Sequence, residues 1–303
     1  MNYYRRFRLF FRSVFFRHLR ETVVVLLVMC ASAVLMSCGA SKSIVPPGLT
    51  ADQLFKRAKE FLEEEEWIPA QKHLDVLKLQ FPASPLADDA QYYIAELHFR
   101  KREYILSSYN FNQLRKQFPS SEYSKSSLYK AALSYYELSP PADRDQDYTR
   151  QAIKSFEEFR TAYPKDSLAI ESGKKILELR DKLARNVFST AELYVKLEAP
   201  RSVLVYLDAI LNDYPESSLI EQCLAMKSTM LMRVRRYADA TEAIRLYRQR
   251  FPKGSFQAEI QDTEERIQSG EKKQKEAERK QQELFKQQEQ QKQSTSASQT
   301  IKQ

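Results

Sequence analysis

Glycine is nearly absent, with five copies in 303 residues. A chain this poor in glycine lacks the material for loops that cradle phosphates, and it contains neither a P-loop nor a Gly-x-Ser-x-Gly elbow. Histidine is almost as scarce, at three copies, and no HExxH pattern occurs. Beyond residue 37 only His73 and His98 remain, and the three cysteines (Cys30, Cys38, Cys223) show no Cys-His metal spacing. The carboxylate run Glu63–Glu66 fans around a helix instead of converging, so it reads as a solvated face. His98 falls at a core position of the pattern described below and reads as packed. Together these absences point away from an enzyme, a metal site or a cofactor.

Positive charge is missing where a nucleic-acid binder needs it. The net charge is +8, but residues 1–37 carry +5 of it and residues 271–303 carry +3. Residues 38–270 are therefore neutral and exert no general pull on DNA or RNA.

Long apolar runs are confined to one place. Residues 1–20 are basic, and residues 22–36 are uncharged and almost wholly apolar. That run is short for a membrane span and long enough for the core of a signal peptide. It ends in Leu35-Met36-Ser37-Cys38-Gly39, which resembles the lipobox of bacterial lipoproteins. The resemblance implies that residues 1–37 form a signal peptide cleaved after Ser37, and that Cys38 carries a covalent lipid. An ordinary signal peptide or an anchor helix is the alternative. Residues 38–50 then read as a lipidated tether. Cys223 would be the one cysteine left in the mature chain besides Cys38, a small core residue.

What is abundant is Ala, Leu, Lys, Glu, Gln and Arg, a helix-forming mixture. An aromatic-proline step recurs five times: Phe81-Pro82, Phe118-Pro119, Tyr163-Pro164, Tyr214-Pro215 and Phe251-Pro252. Proline cannot continue a helix and pushes the preceding residue out of the α region. A serine follows each proline (Ser84, Ser120, Ser167, Ser217, Ser255) and is expected to cap the next helix.

Counting back from each proline reveals a helix-pair unit. A small residue stands 24 positions before it in repeats 1, 2, 4 and 5: Ala58, Ala95, Ala191 and Ser228. A second falls 12 before it: Ala70, Ser107, Ala152 and Ala240, with Val203 as a bulkier exception. Large apolar residues occupy the positions eight and five before, such as Phe111 and Leu114 or Phe156 and Phe159. This is the tetratricopeptide (TPR) pattern. The expected fold is all-α, a right-handed TPR solenoid of five helix pairs with a C-terminal capping helix and tail. Repeats 1–3 would span 51–164. Repeats 4–5 and the capping helix would span 165–270, and 271–303 would form a Lys/Glu/Gln-rich tail, partly helical or disordered.

Two departures interrupt the period. Eight extra residues enter repeat 3 around Ser139–Gln146, and 14 enter between Pro164 and Ala191. Fourteen is close to four turns of helix, so a long helix from about Leu168 to Ala184 is expected ahead of, or fused with, repeat 4.

Both departures match one family. Asp143-Arg144-Asp145-Gln146 resembles the Asp-Arg-Asp loop of the BamD (YfiO/ComL-like) family of outer-membrane assembly lipoproteins, and Leu179–Tyr194 resembles that family's Lys-Asp-Arg-Leu-Ala-Lys…Tyr segment. The resemblance covers about residues 35–255. It implies a non-enzymatic scaffold lipoprotein, anchored in the outer membrane and facing the periplasm. It further implies binding to the periplasmic domains of a BamA-like β-barrel protein, receipt of unfolded outer-membrane proteins, and company with other Bam lipoproteins. A periplasmic TPR adaptor for another envelope or peptidoglycan complex is the alternative.

Candidate partner-binding residues are Asp143, Arg144 and Asp145 in the loop, with Arg201, Tyr206, Arg235 and Arg236 further on. Tyr206 stands where the best-known members carry an arginine. A peptide groove is expected on the first helices of repeats 2 and 3, from Tyr92, Glu96, Phe99, Tyr129, Leu133 and Tyr136. Its four aromatics suit an extended peptide ending in an aromatic residue. They could equally pack against neighbouring side chains.

Overall fold

The computed structural model describes residues 45–300, with side chains through residue 288. The signal segment 1–37, its cleavage point and Cys38 lie outside the described residues. Among the described residues the regular structure is helical throughout, in eleven helices. They fall into two units, one ending at Pro82 and the other beginning at Ala83.

The first unit holds α1 (Ala51–Glu63) and α2 (Trp67–Gln80). A capping box starts α1: Gln53 N–H donates to the Thr50 hydroxyl at 3.3 Å, and Thr50 N–H to the Gln53 side-chain oxygen at 3.0 Å. Leu54, Ala58 and Leu62 pack on Ala70, Leu74 and Leu77. Glu63, Glu64, Glu65 and Glu66 are all exposed.

The second unit holds the other nine helices. They are α3 (Ala87–Arg100), α4 (Tyr104–Gln117), α5 (Ser124–Leu138), α6 (Asp147–Ala162), α7 (Ser167–Lys196), α8 (Pro200–Asp213), α9 (Ile220–Arg233), α10 (Tyr237–Arg250) and α11 (Gln257–Thr300). Each packs on its neighbour in sequence. The small-residue positions explain the close approach within pairs. Ala58, Ala95, Ala132, Ala191 and Ser228, and likewise Ala70, Ser107, Ala152, Val203 and Ala240, are all 0% exposed. Larger side chains there would force the helices apart. The large apolar positions fill the space between, and Phe111, Phe156, Phe159, Leu207 and Ile210 are fully buried. Each such side chain contributes about 1.5–3 kcal/mol by leaving water.

The five aromatic residues before proline share one geometry. Phe81, Phe118, Tyr163, Tyr214 and Phe251 have φ between −132° and −126° and ψ between 52° and 65°. Each donates its N–H to the carbonyl four residues back, closing the helix.

The helix starts differ from the serine expectation. The acting position is two residues after the proline, and its side-chain oxygen accepts the N–H two residues further on. Ser84 takes Leu86 N–H at 3.2 Å, Ser121 takes Tyr123 at 3.2 Å, Asp166 takes Leu168 at 2.9 Å and Ser217 takes Leu219 at 3.2 Å. Ser121 and Asp166 thus act where Ser120 and Ser167 were expected. The fifth step has Gly254 at that position. There the Tyr247 hydroxyl accepts Phe256 N–H at 3.0 Å, and the Glu221 carboxylate accepts Ser255 N–H.

Four turns inside the helix pairs carry a residue in the left-handed region: Glu65 (φ 59°), Arg102 (59°), Glu198 (53°) and Arg235 (61°). Each stands 17 positions before the proline of its repeat. Repeat 3, with its eight-residue insertion, has no such turn among the described residues.

The 14-residue insertion is absorbed into α7, one unbroken helix of 30 residues. Its N-terminal half contributes Ala169, Ile176 and Leu179 to the core shared with α5 and α6. Its C-terminal half contributes Ala184, Phe188 and Ala191 to the core shared with α8 to α11. α11 covers the end of the stack with Ile260, Thr263 and Ile267, spaced for one helical face and nearly fully buried. Gly270 lets α11 pass Tyr237, whose hydroxyl would lie 2.5 Å from a Cβ added there. The helix then continues to Thr300, and its side chains from Lys272 through Gln288 are exposed.

Candidate functional site

The groove residues expected on α3 and α5 are engaged by side chains around them. Tyr92 is half-buried and stacks on Tyr123, with ring centroids 4.3 Å apart. Glu96 pairs with Lys130 on α5 and with Arg100 at 3.5 Å. Phe99 meets the Tyr104 ring edge-on at 5.4 Å. Leu133 and Tyr136 are partly exposed, and Tyr136 donates its hydroxyl to Glu178 of α7 at 2.7 Å while Lys175 lies 4.2 Å over its ring. Burial, with help from Glu178, pushes the Tyr136 phenol up to about 12. Tyr129 departs from the groove reading. It is 7% exposed, packs on Phe156 and Phe159, and its phenol is raised by burial and then by a hydrogen bond to Glu171. Five of the six residues therefore reach the surface, with Tyr129 beneath them.

The loop between α5 and α6 is tied down from within and from α7. Gln146, 1% exposed, donates its side-chain N–H groups to the carbonyls of Pro141 (2.8 Å) and Arg144 (2.9 Å) and accepts from Thr149 (2.7 Å). Asn186 on α7 donates to the Ala142 carbonyl at 2.6 Å. Lys182, one turn earlier, donates to the Ser139 hydroxyl at 2.8 Å. Asp145 accepts Asp147 N–H at 2.9 Å. Asp143, Arg144 and Asp145 are all exposed at the loop's tip.

The same stretch of α7 also holds the turn after α8. Arg180 pairs with Glu216, donates to the Asp213 carbonyl at 2.5 Å and lies 5.3 Å from the Tyr214 ring. Asp181 accepts from the Ser217 hydroxyl (2.7 Å), Ser218 N–H (2.8 Å) and the Ser218 hydroxyl (2.9 Å), and pairs with Arg185 at 2.8 Å. Burial raises the Asp181 carboxyl, but these bonds outweigh it and hold the group below its usual range.

At the end of α7, Tyr194 stacks on Tyr206 of α8 at 5.4 Å with 17° between the rings. The charge of the neighbouring Tyr194 phenol raises the Tyr206 phenol. On the same turns Leu193, Leu197 and Val205 are 52%, 63% and 65% exposed, and Arg201 is exposed one turn before Val205. Arg235 and Arg236 lie elsewhere, in the α9–α10 turn, where they line a cleft with Glu271, Gln274, Lys275 and Glu278 of α11. Arg236 pairs with Asp239 at 2.6 Å.

Residues 47–246 match the profile of YfiO, described as an outer membrane lipoprotein. The chain belongs to the YfiO family. Relatives of this chain carry the name outer membrane protein assembly factor BamD. The one from Neisseria meningitidis serogroup B is 22% identical over 250 residues, covering 77% of this chain and 92% of the relative. The one from Vibrio cholerae is 20% identical over 207 residues, covering 65% and 86%. Among solved structures, this chain is similar to a tetratricopeptide repeat protein from Parabacteroides merdae (TM-score 0.32, 13% identity, 78% of each chain). It is also similar to the TPR2AB domain of yeast Sti1 (TM-score 0.36, 13% identity, 72% of this chain and 98% of that one).

Several residues of these surfaces escaped sequence reasoning. Val205 had a signal: it stands ten positions before its proline, where repeats 1, 3 and 5 have Lys72, Lys154 and Glu242. Lys182 and Asn186 had none, because polar residues on a helix read as solvated until their distant partners are known.

Proposed function

We propose that the chain is a non-catalytic scaffold lipoprotein of the machinery that assembles β-barrel proteins in the outer membrane. It docks the periplasmic domains of a BamA-like barrel protein through the end of α7 and the start of α8. It takes extended segments of unfolded outer-membrane proteins on the face of α3 and α5, and a lipid on Cys38 ties it to the membrane on the periplasmic side. The observation that carries the docking reading is the cluster of exposed Leu193, Leu197 and Val205 around the stacked Tyr194–Tyr206 pair and Arg201. Apolar anchors with an aromatic and an arginine are the usual core of a protein interface. An ion pair is not available at Tyr206, but exposed Arg201 and Lys196 supply basic groups at this site.

Affinity purification of the full chain from gently solubilised outer membranes tests the reading. The barrel protein is expected to co-purify with the unaltered chain and to be lost with Val205→Asp, which adds a charge to an exposed residue and spares the core. Recovery of the unaltered chain without a barrel protein counts against it. For the groove, Tyr92→Ala with Tyr136→Ala is expected to weaken binding of a peptide ending in an aromatic residue, and unchanged affinity removes that assignment. Cys38→Ser is expected to abolish incorporation of labelled palmitate.

A further inference from the structure

We infer that Asp143 and Arg144 form a preset, charged docking tip for the same barrel partner, and that Asn186 and Lys182 are the positioning residues that hold it. This rests on the docking reading above and extends it to a second contact.

The loop's inward-facing groups are occupied. The carbonyls of Pro141, Ala142 and Arg144 accept from Gln146 and Asn186, and Ser139 accepts from Lys182. By contrast, the side chains of Asp143 and Arg144 are exposed and make no hydrogen bond or ion pair with any described residue. A loop fixed by internal bonds with two outward charges free has already met the entropic cost of ordering that a flexible loop would incur on binding.

The tip's chemistry selects its partner. Two acids, Asp143 and Asp145, flank one base, so the tip carries a net charge of −1 and offers nothing to an anionic membrane or to nucleic acid. It fits a folded protein surface carrying a complementary base and acid. Its place in the fold points the same way. Asn186 and Leu193 are seven residues apart on α7, almost two full turns, so they share a face about 10 Å apart along the axis. The anchored loop and the apolar cluster around Leu193 therefore lie along one side of one rigid helix.

The test uses the full-length chain and the soluble periplasmic domains of the BamA-like protein from the same cell, with affinity read by biolayer interferometry. Asp143→Ala with Arg144→Ala is expected to weaken binding about tenfold, the scale of one lost interfacial ion pair. Asn186→Asp keeps the shape but replaces the donor with an acceptor, so it repels the Ala142 carbonyl; it is expected to give a similar loss. Combined with the tip substitutions it is expected to add nothing further, because it acts through the tip. Lys182→Met is expected to weaken binding and Lys182→Arg to retain it; this pair carries the test if Asn186→Asp fails to fold. If removing the tip leaves affinity within twofold while Val205→Asp abolishes it, the tip is rejected and the docking reading stands. If the Asn186 and tip losses simply add, the positioning role is rejected. If the unaltered chain does not bind, the docking reading falls and this inference falls with it.

Discussion

The hydroxyl of Tyr247 accepts the backbone N–H of Phe256 at 3.0 Å, a task that falls to Ser84, Ser121, Asp166 or Ser217 at the other four steps. The substitute works only because Gly254 leaves the space. A Cβ there would lie 2.5 Å from the Tyr247 hydroxyl and would also collide with Glu221. Gly254→Ser, which restores the residue type of three other steps, is therefore expected to destabilise this one, by about 1–3 kcal/mol. Tyr247→Phe is expected to cost about 1–3 kcal/mol, because the hydroxyl both accepts Phe256 N–H and donates to Glu221. Thermal unfolding checks both, and a Gly254→Ser chain that melts with the unaltered one contradicts this account of the step.

The left-handed turns offer the opposite sign. Arg102, Glu198 and Arg235 hold φ values from 53° to 61°, where a Cβ is unfavourable by about 1 kcal/mol or more. Arg102→Gly, and separately Glu198→Gly, is expected to raise the melting temperature by roughly 2 °C, since the residue is exposed and loses no packing. Calorimetry of the single and double substitutions reads this out; a fall in melting temperature for both would exclude turn strain as a cost.

These two cases mark what the sequence disclosed. The period, the buried small residues and the long helix were legible, because each is a spacing along one chain segment. The residue after each proline was misplaced by one at three steps: Ser120, Ser167 and Ser255 stand beside the acting positions Ser121, Asp166 and Gly254, and only the backbone direction chooses between neighbours. Gly254 was opaque, because its partners Glu221 and Tyr247 lie 33 and seven residues away. The same holds for the surfaces. The Asp-Arg-Asp loop was visible as a motif, whereas its anchors at Lys182 and Asn186 act across more than 40 residues. Tyr129 was placed by helix offset on the groove, but its ring turns into the gap between α5 and α6, against Phe156 and Phe159.

Asp181 makes stability depend on acid pH. Its folded carboxyl is held below the ordinary value, so its contribution is complete above the unfolded carboxylate range near pH 4 and is lost as pH falls through the depressed folded value. Asp181→Asn is expected to lower the melting temperature at pH 7, with the gap to the unaltered chain closing as the pH is taken from about 4 toward 2. A gap that stays constant over that range would show that the carboxylate charge is not what the Ser217–Ser218 turn requires.

Cys223 is 0% exposed, and burial pushes its thiol up to about 12. It is expected to resist a thiol reagent at pH 8 under native conditions and to react at once in denaturant, so its labelling rate follows opening of the core around α9. Rapid labelling of the native chain would contradict the packing described for α9.

Leu179 and Ala184 sit five residues apart on α7, yet they belong to different cores. In an array of independent helix pairs, each pair can melt with little regard for distant ones, and the ends fray first. Here a single rod is common property of two neighbouring pairs. Neither core can open fully unless that rod is broken or the other core gives way. The segment from α5 to α8 should therefore behave as one cooperative block, which keeps the loop between α5 and α6 in fixed register with the start of α8.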